Sequence, residues 1–302
     1  MDRMPSYKSL AALYVADLRS RCSDTHASTV ERQLGLILAT VPRLSKLGVL
    51  EFRRKRIEED GVSHRTANAE VKALSACFEW GLREAGVVKD NPYRLIRQLP
   101  ETAKFLRKRR RAMTDAEIRR FLKASCERDK DLCRTYEMTL LWRTLLETGM
   151  RWSECVSLTG ADIERETIIL PPERTKNGEG RAIPIRPSLA AKLKRRARNG
   201  SAIFPTPTGA DWTWNHHTAL RIFRNTLKRA EIPEKDTAGR EIDIHACRHT
   251  FNTKLHRCGV RESLIDLMLG HSRPREKRTN RRYNHLDVED LRRELRRKVW
   301  RL

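Results

Sequence analysis

Six residues in the second half of the chain have side chains suited to chemistry at a phosphate group. They are Arg151, Lys176, His245, Arg248, His271 and Tyr283. Arginine binds phosphate oxygens through paired hydrogen bonds and stays charged at neutral pH, so the two arginines are candidates for holding a phosphate. The lysine and histidines can transfer protons, and a tyrosine beside them can act as a nucleophile. The set predicts a pocket in which a phosphodiester is attacked without a metal ion.

Two local spacings bear on this prediction. Glu154 follows Arg151 by three residues, close enough on a helical turn to brace its guanidinium group. His245 and His249 lie four residues apart, which is a spacing found in helical metal sites. Ala246 stands where such motifs carry glutamate, and the positive charge of Arg248 between the histidines would repel a cation. We therefore predict no metal and no other cofactor.

The composition predicts a polyanionic partner. The chain has 302 residues, with 63 Lys and Arg against 39 Asp and Glu, and a formal net charge of +24. Such a charge is typical of proteins that bind nucleic acid, including those that only coat it. The seven cysteines are an odd number without a C-x-x-C pair, which is typical of reduced thiols in the cytosol. With neither a leader nor a long apolar run, the expected location is cytoplasmic.

The elements that must position these residues fall into two regions. Residues 5–99 carry helical patterns, first with Leu10, Leu13, Val15 and Leu18 on one face, then from about Thr29 through Leu38. The clearest helix spans 66–85 and ends before Gly86. We predict a helical domain over residues 1–100.

A basic segment, residues 101–113, separates this domain from the rest. Its cations are Lys104, Arg107, Lys108, Arg109, Arg110 and Arg111. Such a run is either a solvated charged segment or an interdomain linker that lies along a DNA backbone. Thr114 and Glu117 then form a capping-box signature that opens a second, mainly helical region.

The second region, residues 114–302, contains one predicted β-hairpin among helices. An apolar helix spans 132–147 and runs into Thr148 and Gly149. Two short apolar runs, 166–170 and 181–185, flank the turn signal Asn177-Gly178 and predict the hairpin. Helices fill most of 188–270. A last helix, 287–299, carries an apolar stripe that either folds back on its own domain or docks on another protomer.

The local sequences around the six residues resemble motifs of the tyrosine recombinase, or phage integrase, family. Thr148-Gly-Met-Arg-Trp-Ser-Glu154 resembles the first family box, and His245-Ala-Cys-Arg248-His resembles the second. Leu269-Gly-His271 resembles the third box, and the surroundings of Tyr283 match the family tyrosine. The resemblance covers 110–302 well. Residues 5–99 resemble the family's N-terminal core-binding domain more loosely.

The resemblance implies a fold and a division of roles. The fold would be mainly α with a small β-hairpin or sheet, comprising a helical core-binding domain and an α+β catalytic domain that together encircle double-stranded DNA. Tyr283 would attack the scissile phosphate while His245 accepts its proton and Lys176 protonates the leaving oxygen. His271 would hydrogen-bond a nonbridging oxygen. Recombination would require a homo-tetramer on two DNA sites.

Two other functions share parts of this pattern. A type IB topoisomerase uses a similar catalytic set, but would act as a monomer on one duplex. A catalytically silent DNA-binding regulator would have lost at least one of the six residues, and all six are present here. The sequence thus predicts a site-specific DNA recombinase of a mobile genetic element, with the topoisomerase as the alternative enzyme.

Overall fold

The computed structural model describes residues 5–41, 43–100, 110–131, 137–175, 178–197, 202–206, 216–270 and 287–300. The chain divides into two compact units, residues 1–107 and 108–302, which are called here the N-terminal and C-terminal units. The division falls inside the predicted linker 101–113. The described residues are mainly helical with one small antiparallel sheet, which confirms the predicted fold class.

Four helices are described in the N-terminal unit: α1 (Tyr7–Arg21), α2 (Asp24–Thr40), α3 (Lys46–Glu58) and α4 (His64–Arg83). Each begins directly after a serine, whose hydroxyl accepts a hydrogen bond from a backbone N–H of the first turn. Serine side chains satisfy donors that a helix start would otherwise leave unpaired. These caps therefore set the starts of all four helices.

The apolar faces of these four helices meet in one core. Its members include Leu10, Leu34, Ile37, Leu74 and Phe78. The prediction that Leu13 belongs to this face was wrong, since its side chain is 51% exposed. Leu13 follows Leu10 by three residues, but Tyr14, at the next position, is the one that turns inward. Helix α2 also begins five residues earlier than predicted, because Ser23 caps it.

Eight helices and three strands are described in the C-terminal unit. The helices are α5 (Asp115–Asp131), α6 (Met138–Thr148), α7 (Trp152–Val156), α8 (Pro187–Arg196), α9 (His216–Arg229), α10 (Ile244–Arg257), α11 (Glu262–Leu269) and α12 (Val288–Lys298). The predicted capping box opens α5, because Thr114 and Glu117 exchange side chain-to-backbone hydrogen bonds of 2.8 and 3.2 Å. Helix α6 lies at the centre and packs against α5 and α10.

The sheet contains β1 (Ile163–Glu164), β2 (Thr167–Leu170) and β3 (Arg181–Pro184) in that spatial order. Antiparallel pairing of β2 and β3, with Ile168 opposite Ile183, confirms the predicted hairpin. Strand β1 was not predicted, because two residues are too few to show alternation. The hairpin connection is longer than a two-residue turn. It contains a 3-10 turn at Pro172–Arg174 and a hydrogen bond from the amide of Gly178 to the carbonyl of Thr175.

Helix α12 packs on the C-terminal unit itself. Leu291, Leu295 and Val299 are buried in the core of that unit, at 0 to 2% exposure. Arg292 and Arg296 both bind Glu166 in the turn between β1 and β2, at 3.3 and 2.9 Å. Of the two alternatives for the apolar stripe, this structure contains the one in which the helix folds back on its own domain.

Candidate active site

The first predicted box lies where α6 ends. Gly149 adopts φ +64°, the left-handed conformation that ends helices and favours glycine. A Cβ atom at this position would lie 2.6 Å from Leu269 and 2.8 Å from Phe251, so the backbone can approach α10 and α11 only without one. This close approach brings Arg151, two residues later, to the end of α11.

Arg151 is held by Glu154, as its spacing predicts. The backbone amide of Arg151 donates to Oε2 of Glu154 and its Nη1 donates to Oε1, both at 2.8 Å. Arg151 thus caps α7 and orients its own guanidinium with one carboxylate. The side chain of Glu154 is 1% exposed, whereas that of Arg151 is 25% exposed. The carboxylate is therefore a buried brace, and the guanidinium retains a face open to solvent.

Arg248 projects from the first turns of α10. Asp243 caps this helix by accepting from the amide of Ala246 at 2.9 Å. Nη1 of Arg248 donates to the carbonyl of Gly149 at 2.8 Å, and Nη2 donates to the carbonyl of Leu269 at 2.7 Å. The second predicted box is thereby joined to the first and to the end of α11.

A third arginine, Arg181 at the start of β3, reaches the same place. Its Nε donates to the carbonyl of Met268 at 3.0 Å, and its two terminal nitrogens bind the carboxylate of Glu154 at 3.2 and 2.6 Å. Nη2 of Arg151 donates to the carbonyl of Gly270, two residues after Met268, at 3.4 Å. Three consecutive carbonyls at the end of α11 thus accept from three arginines. The arginine cluster is defined here as Arg151, Arg181 and Arg248.

The end of α11 suits this cluster electrostatically. The last carbonyls of a helix have no partner within the helix and carry its negative dipole end, so cations are stabilised there. Gly270 ends α11 with φ +64° and leaves those carbonyls accessible. Glu154 supplies the only full negative charge that the described contacts of the three guanidinium groups include. The cluster therefore keeps an excess of positive charge, which a phosphate anion can neutralise.

The pKa values reflect this excess. Burial, reinforced by the charges of Arg151 and Arg181, lowers the pKa of Arg248 to about 10, so it remains charged at neutral pH. Burial alone would raise the pKa of Glu154, but the hydrogen bonds and charges of Arg181 and Arg151 outweigh it and lower that pKa. Glu154 is therefore ionised wherever the cluster is assembled.

His245 lies on the first turn of α10, one helical turn before Arg248, and remains accessible to solvent. Partial burial lowers its pKa, and the nearby charges of Arg110, Arg248 and Arg151 act in the same direction, whereas Asp243 opposes them. The imidazole is consequently neutral at physiological pH. A neutral histidine can accept a proton, as expected of it from the sequence.

Three predicted site residues, Lys176, His271 and Tyr283, lie outside the described residues. Described residues border two of the three: Thr175 directly precedes Lys176, and Gly270 directly precedes His271. Gly270 is part of the carbonyl row that binds the cluster. The roles assigned to the three residues stay predictions.

Four of the six predicted linker cations, residues 104 and 107–109, also lie outside the described residues. Of the other two, Arg110 binds both carboxylate oxygens of Asp243 at 2.8 Å, and Arg111 binds both oxygens of Glu117 at 2.8 and 2.9 Å. Both guanidinium groups thus have carboxylate partners within the C-terminal unit. Their predicted contact with DNA stays a prediction.

Arg181 was not among the residues selected from the sequence. A signal for it exists in the period-two pattern of a strand, in which alternate residues share a face. Arg181 and Ile183 are both buried on one face of β3. An arginine on the apolar face of a strand requires a buried partner, and that partner is Glu154, which the sequence had assigned to Arg151 alone.

Neither a metal-binding cluster nor a membrane-spanning helix is found among the described residues. No group of three or more His, Cys, Asp or Glu in these ranges is placed to hold a metal ion. Nor does this part of the chain contain a helix that is long and apolar enough to cross a membrane.

Residues 111–290, more than half of the chain, match the phage integrase family. The matched region includes all six residues selected from the sequence. The chain belongs to the phage integrase family.

Similar proteins agree with this assignment. Tyrosine recombinase XerA of Saccharolobus solfataricus is 28% identical over 195 residues, which are 65% of this chain and 59% of that relative. The chain therefore aligns with less than two thirds of that relative's length. Among solved structures, a lambda integrase dimer bound to a COC′ core site has a TM-score of 0.68 and 16% identity, covering 93% of this chain and 98% of that one. A lambda integrase tetramer bound to a Holliday junction also has a TM-score of 0.68 and 16% identity, over 92% and 78% of the two chains.

Proposed function

We propose that this protein is a site-specific DNA recombinase that cuts and rejoins DNA through a 3′-phosphotyrosine intermediate. The observation that carries the proposal is the convergence of Arg151 and Arg248. They come from separate boxes of the sequence, yet bind neighbouring carbonyls at the end of α11. Two guanidinium groups held side by side provide the positive charge that the two nonbridging oxygens of a phosphodiester require.

The six residues supply every group that the proposed cleavage requires. The phenolic oxygen of Tyr283 forms a bond to phosphorus, and the bond from phosphorus to the 5′ oxygen breaks. His245, neutral at physiological pH, accepts the phenolic proton, and Lys176 protonates the departing 5′ oxygen. The partner strand's 5′-hydroxyl then reverses the step on the phosphotyrosine. Because the phosphotyrosine conserves the energy of the phosphodiester bond, rejoining consumes no ATP.

Each arginine should matter in proportion to the charge that it stabilises. Removing one preorganised donor from a transition-state anion typically lowers the rate ~10²–10³-fold. The buried carboxylate of Glu154 fixes Arg151 before substrate arrives, so its orientation costs little when the reaction occurs. His271 is assigned to a nonbridging oxygen because Leu269-Gly-His271 resembles the third family box.

Double-stranded DNA and a homo-tetramer on two sites are the proposed partners. The net charge of +24 supports the first. The similar lambda integrase structures are a dimer bound to a COC′ core site and a tetramer bound to a Holliday junction, which support the second. In the same proposal, residues 1–100 form a DNA-binding domain, 101–113 a basic linker and 114–302 the catalytic domain.

The test uses a DNA duplex with a nick close to the scissile phosphate, so that the short leaving strand diffuses away and the covalent adduct accumulates. The protein should form an adduct on Tyr283. Tyr283→Phe should bind this DNA almost normally but form none, and Tyr7→Phe, at an exposed tyrosine of the N-terminal unit, should react as the unaltered protein does. An adduct that persists in Tyr283→Phe would contradict the assignment.

A second assay separates recombination from relaxation. Two duplexes that each carry the target site should yield joint products with exchanged arms. Relaxation of a supercoiled plasmid without any joint product, even at saturating protein, would instead identify a topoisomerase.

A further inference from the structure

We propose that Arg181 is a positioning residue that aligns the two phosphate-binding arginines and couples them to the hairpin. The proposal rests on the function proposed above. Arg181 begins β3, and its side chain is 3% exposed. A buried arginine that only stabilised the fold could bind any carboxylate. This one binds the carboxylate that orients Arg151 and a carbonyl beside the one that holds Arg248.

The contacts of Glu154 show how Arg181 acts on Arg151. Oε1 of Glu154 accepts from Nη1 of Arg151 at 2.8 Å and from Nη1 of Arg181 at 3.2 Å. Oε2 accepts from the amide of Arg151 at 2.8 Å and from Nη2 of Arg181 at 2.6 Å. Both oxygens are thus held from two sides. Without Arg181 the carboxylate could rotate about its side chain, and the guanidinium of Arg151 would rotate with it.

The site accepts an arginine and no close substitute. Gly270 has φ +64°, and a Cβ atom there would lie 3.1–3.3 Å from Nη1, Cδ and Cζ of Arg181, so the side chain lies flat against a bare backbone. Two nitrogens of its planar guanidinium group donate to Glu154, while Nε donates to the carbonyl of Met268. Lysine has one compact ammonium group and cannot occupy these positions together.

Arg181 also connects elements that carry the remaining catalytic residues. Through β3 it belongs to the hairpin whose connection contains Lys176, and through Met268 it holds the end of α11, directly before His271. A displacement of about 1 Å at a reacting group can lower a rate ~10²-fold. We therefore expect Arg181→Lys to slow cleavage by ~10²-fold while DNA affinity stays within a few-fold of the unaltered protein.

Arg174 provides the matched control. It lies in the same hairpin connection and is partly buried, but it binds Asp162 and, at 2.8 Å, the carbonyl of Ser157. Arg174→Lys should cleave at nearly the normal rate. If Arg174→Lys and Arg181→Lys lose the same activity, Arg181 merely supports the hairpin and the proposal fails.

Two measurements distinguish positioning from loss of structure. In a protein that already carries Arg151→Ala, Arg181→Lys should lower the cleavage rate little further, because Arg181 acts on the rate through Arg151. On DNA with a methylphosphonate at the scissile position, one nonbridging charge is absent, so the deficit of Arg181→Lys should shrink. Full additivity with Arg151→Ala and an unchanged deficit on this DNA would overturn the proposal.

A readout that needs no catalysis keeps this test separate from that of the proposed function. The Arg151 guanidinium should exchange and rotate faster in Arg181→Lys, as measured by nitrogen-15 NMR of its Nε. Arg181→Gln, which removes the charge but keeps an N–H donor, replaces Arg181→Lys if the latter melts below the assay temperature. If the unaltered protein cleaves no DNA, the proposed function is contradicted, but the positioning role is still tested by the NMR measurement. If Arg181→Lys cleaves at the normal rate and the Nε signal of Arg151 is unchanged, the positioning role alone is contradicted.

Discussion

Arg248 is a buried cation. Its described side-chain hydrogen bonds run to two backbone carbonyls, those of Gly149 and Leu269. Its carbonyl partners fix its position without neutralising its charge. Burial and the neighbouring arginines lower its pKa to about 10, so the free protein keeps an unfavourable charge in the site. A bound phosphate would stabilise this charge. Arg248 therefore stabilises the complex with substrate rather than the free protein.

The ionisation of His245 leads to a prediction about pH. A histidine accepts a proton only when neutral, and partial burial together with Arg110, Arg248 and Arg151 lowers its pKa, against the opposing charge of Asp243. The acid limb of kcat/KM for cleavage should therefore lie below the ordinary histidine value of ~6.5. Arg110→Met removes a cation and leaves Asp243 unpaired, so that limb should move to higher pH.

Arg111→Met is the control for this shift. Arg111 is the next cation in the chain, but its partner is Glu117 at the start of α5. This variant should leave the acid limb where it is. A limb that stays in place in Arg110→Met, or moves to lower pH, would show that His245 is not the titrating group.

A prediction for Lys176 tests the identity of the general acid. An alkoxide is a poor leaving group, so Lys176→Ala should cleave ~10²–10⁴-fold more slowly with nearly intact DNA binding. A thiolate leaves without a proton. DNA with sulfur at the bridging 5′ position should restore cleavage to Lys176→Ala, but not to Arg151→Ala or Arg248→Ala. Equal rescue of all three variants, or failure to rescue the lysine variant, would assign the acid elsewhere.

At the scale of elements, the end of α11 organises the site. This helix spans only Glu262–Leu269, but its last carbonyls contact arginines from α10, from β3 and from the turn before α7. The close approach at Gly149 and the left-handed turn at Gly270 make these contacts possible. Glycine is thus required at both places for geometric reasons.

Helix α12 yields a prediction about stability. Leu291 is fully buried in the core of the C-terminal unit, whereas the side chain of Arg293, two residues later, is 77% exposed. Leu291→Ala should lower the free energy of unfolding by ~2–5 kcal/mol, as buried leucine truncations do. Arg293→Ala should change it by less than ~0.5 kcal/mol. Urea denaturation measures both, and an unaffected Leu291→Ala protein would mean that the helix does not pack on its own domain.

At the scale of the whole molecule, charge is the dominant property. Some of the 63 Lys and Arg residues have carboxylate partners, such as Arg56 with the buried Glu70 in the N-terminal unit. Such pairs add nothing to the net charge, so the excess of +24 remains after every acidic residue is matched with a cation. The excess basic residues remain available to a polyanion.

Binding to DNA should therefore depend steeply on salt. If six or more phosphates are contacted, the affinity should fall ~10³-fold or more between ~50 and ~200 mM monovalent salt, because condensed counterions are released on binding. Electrophoretic mobility shifts over this range measure the slope. A flat response would contradict a DNA-facing role for the excess cations.

Local signals in the sequence were sufficient for several features. The helices, the hairpin, the capping box of Thr114 and the bracing of Arg151 by Glu154 all depend on residues within a few positions of one another. The six residues of the predicted site could be selected because their local wording matches a family pattern. The start of α2 was predicted five residues too late, since Ser23, which lies outside the apolar pattern, sets it.

Only the tertiary structure decided how distant boxes combine. No local pattern shows that the carbonyls of α11 accept from Arg151, Arg181 and Arg248, because hydrogen bonds to a helix end depend on which chain segments approach it. The burial of α12 on its own unit was likewise undetermined, since an apolar stripe has the same spacing whatever covers it. Arg181 was missed for this reason: its chemistry comes from a glutamate that is distant in sequence and adjacent only in the fold.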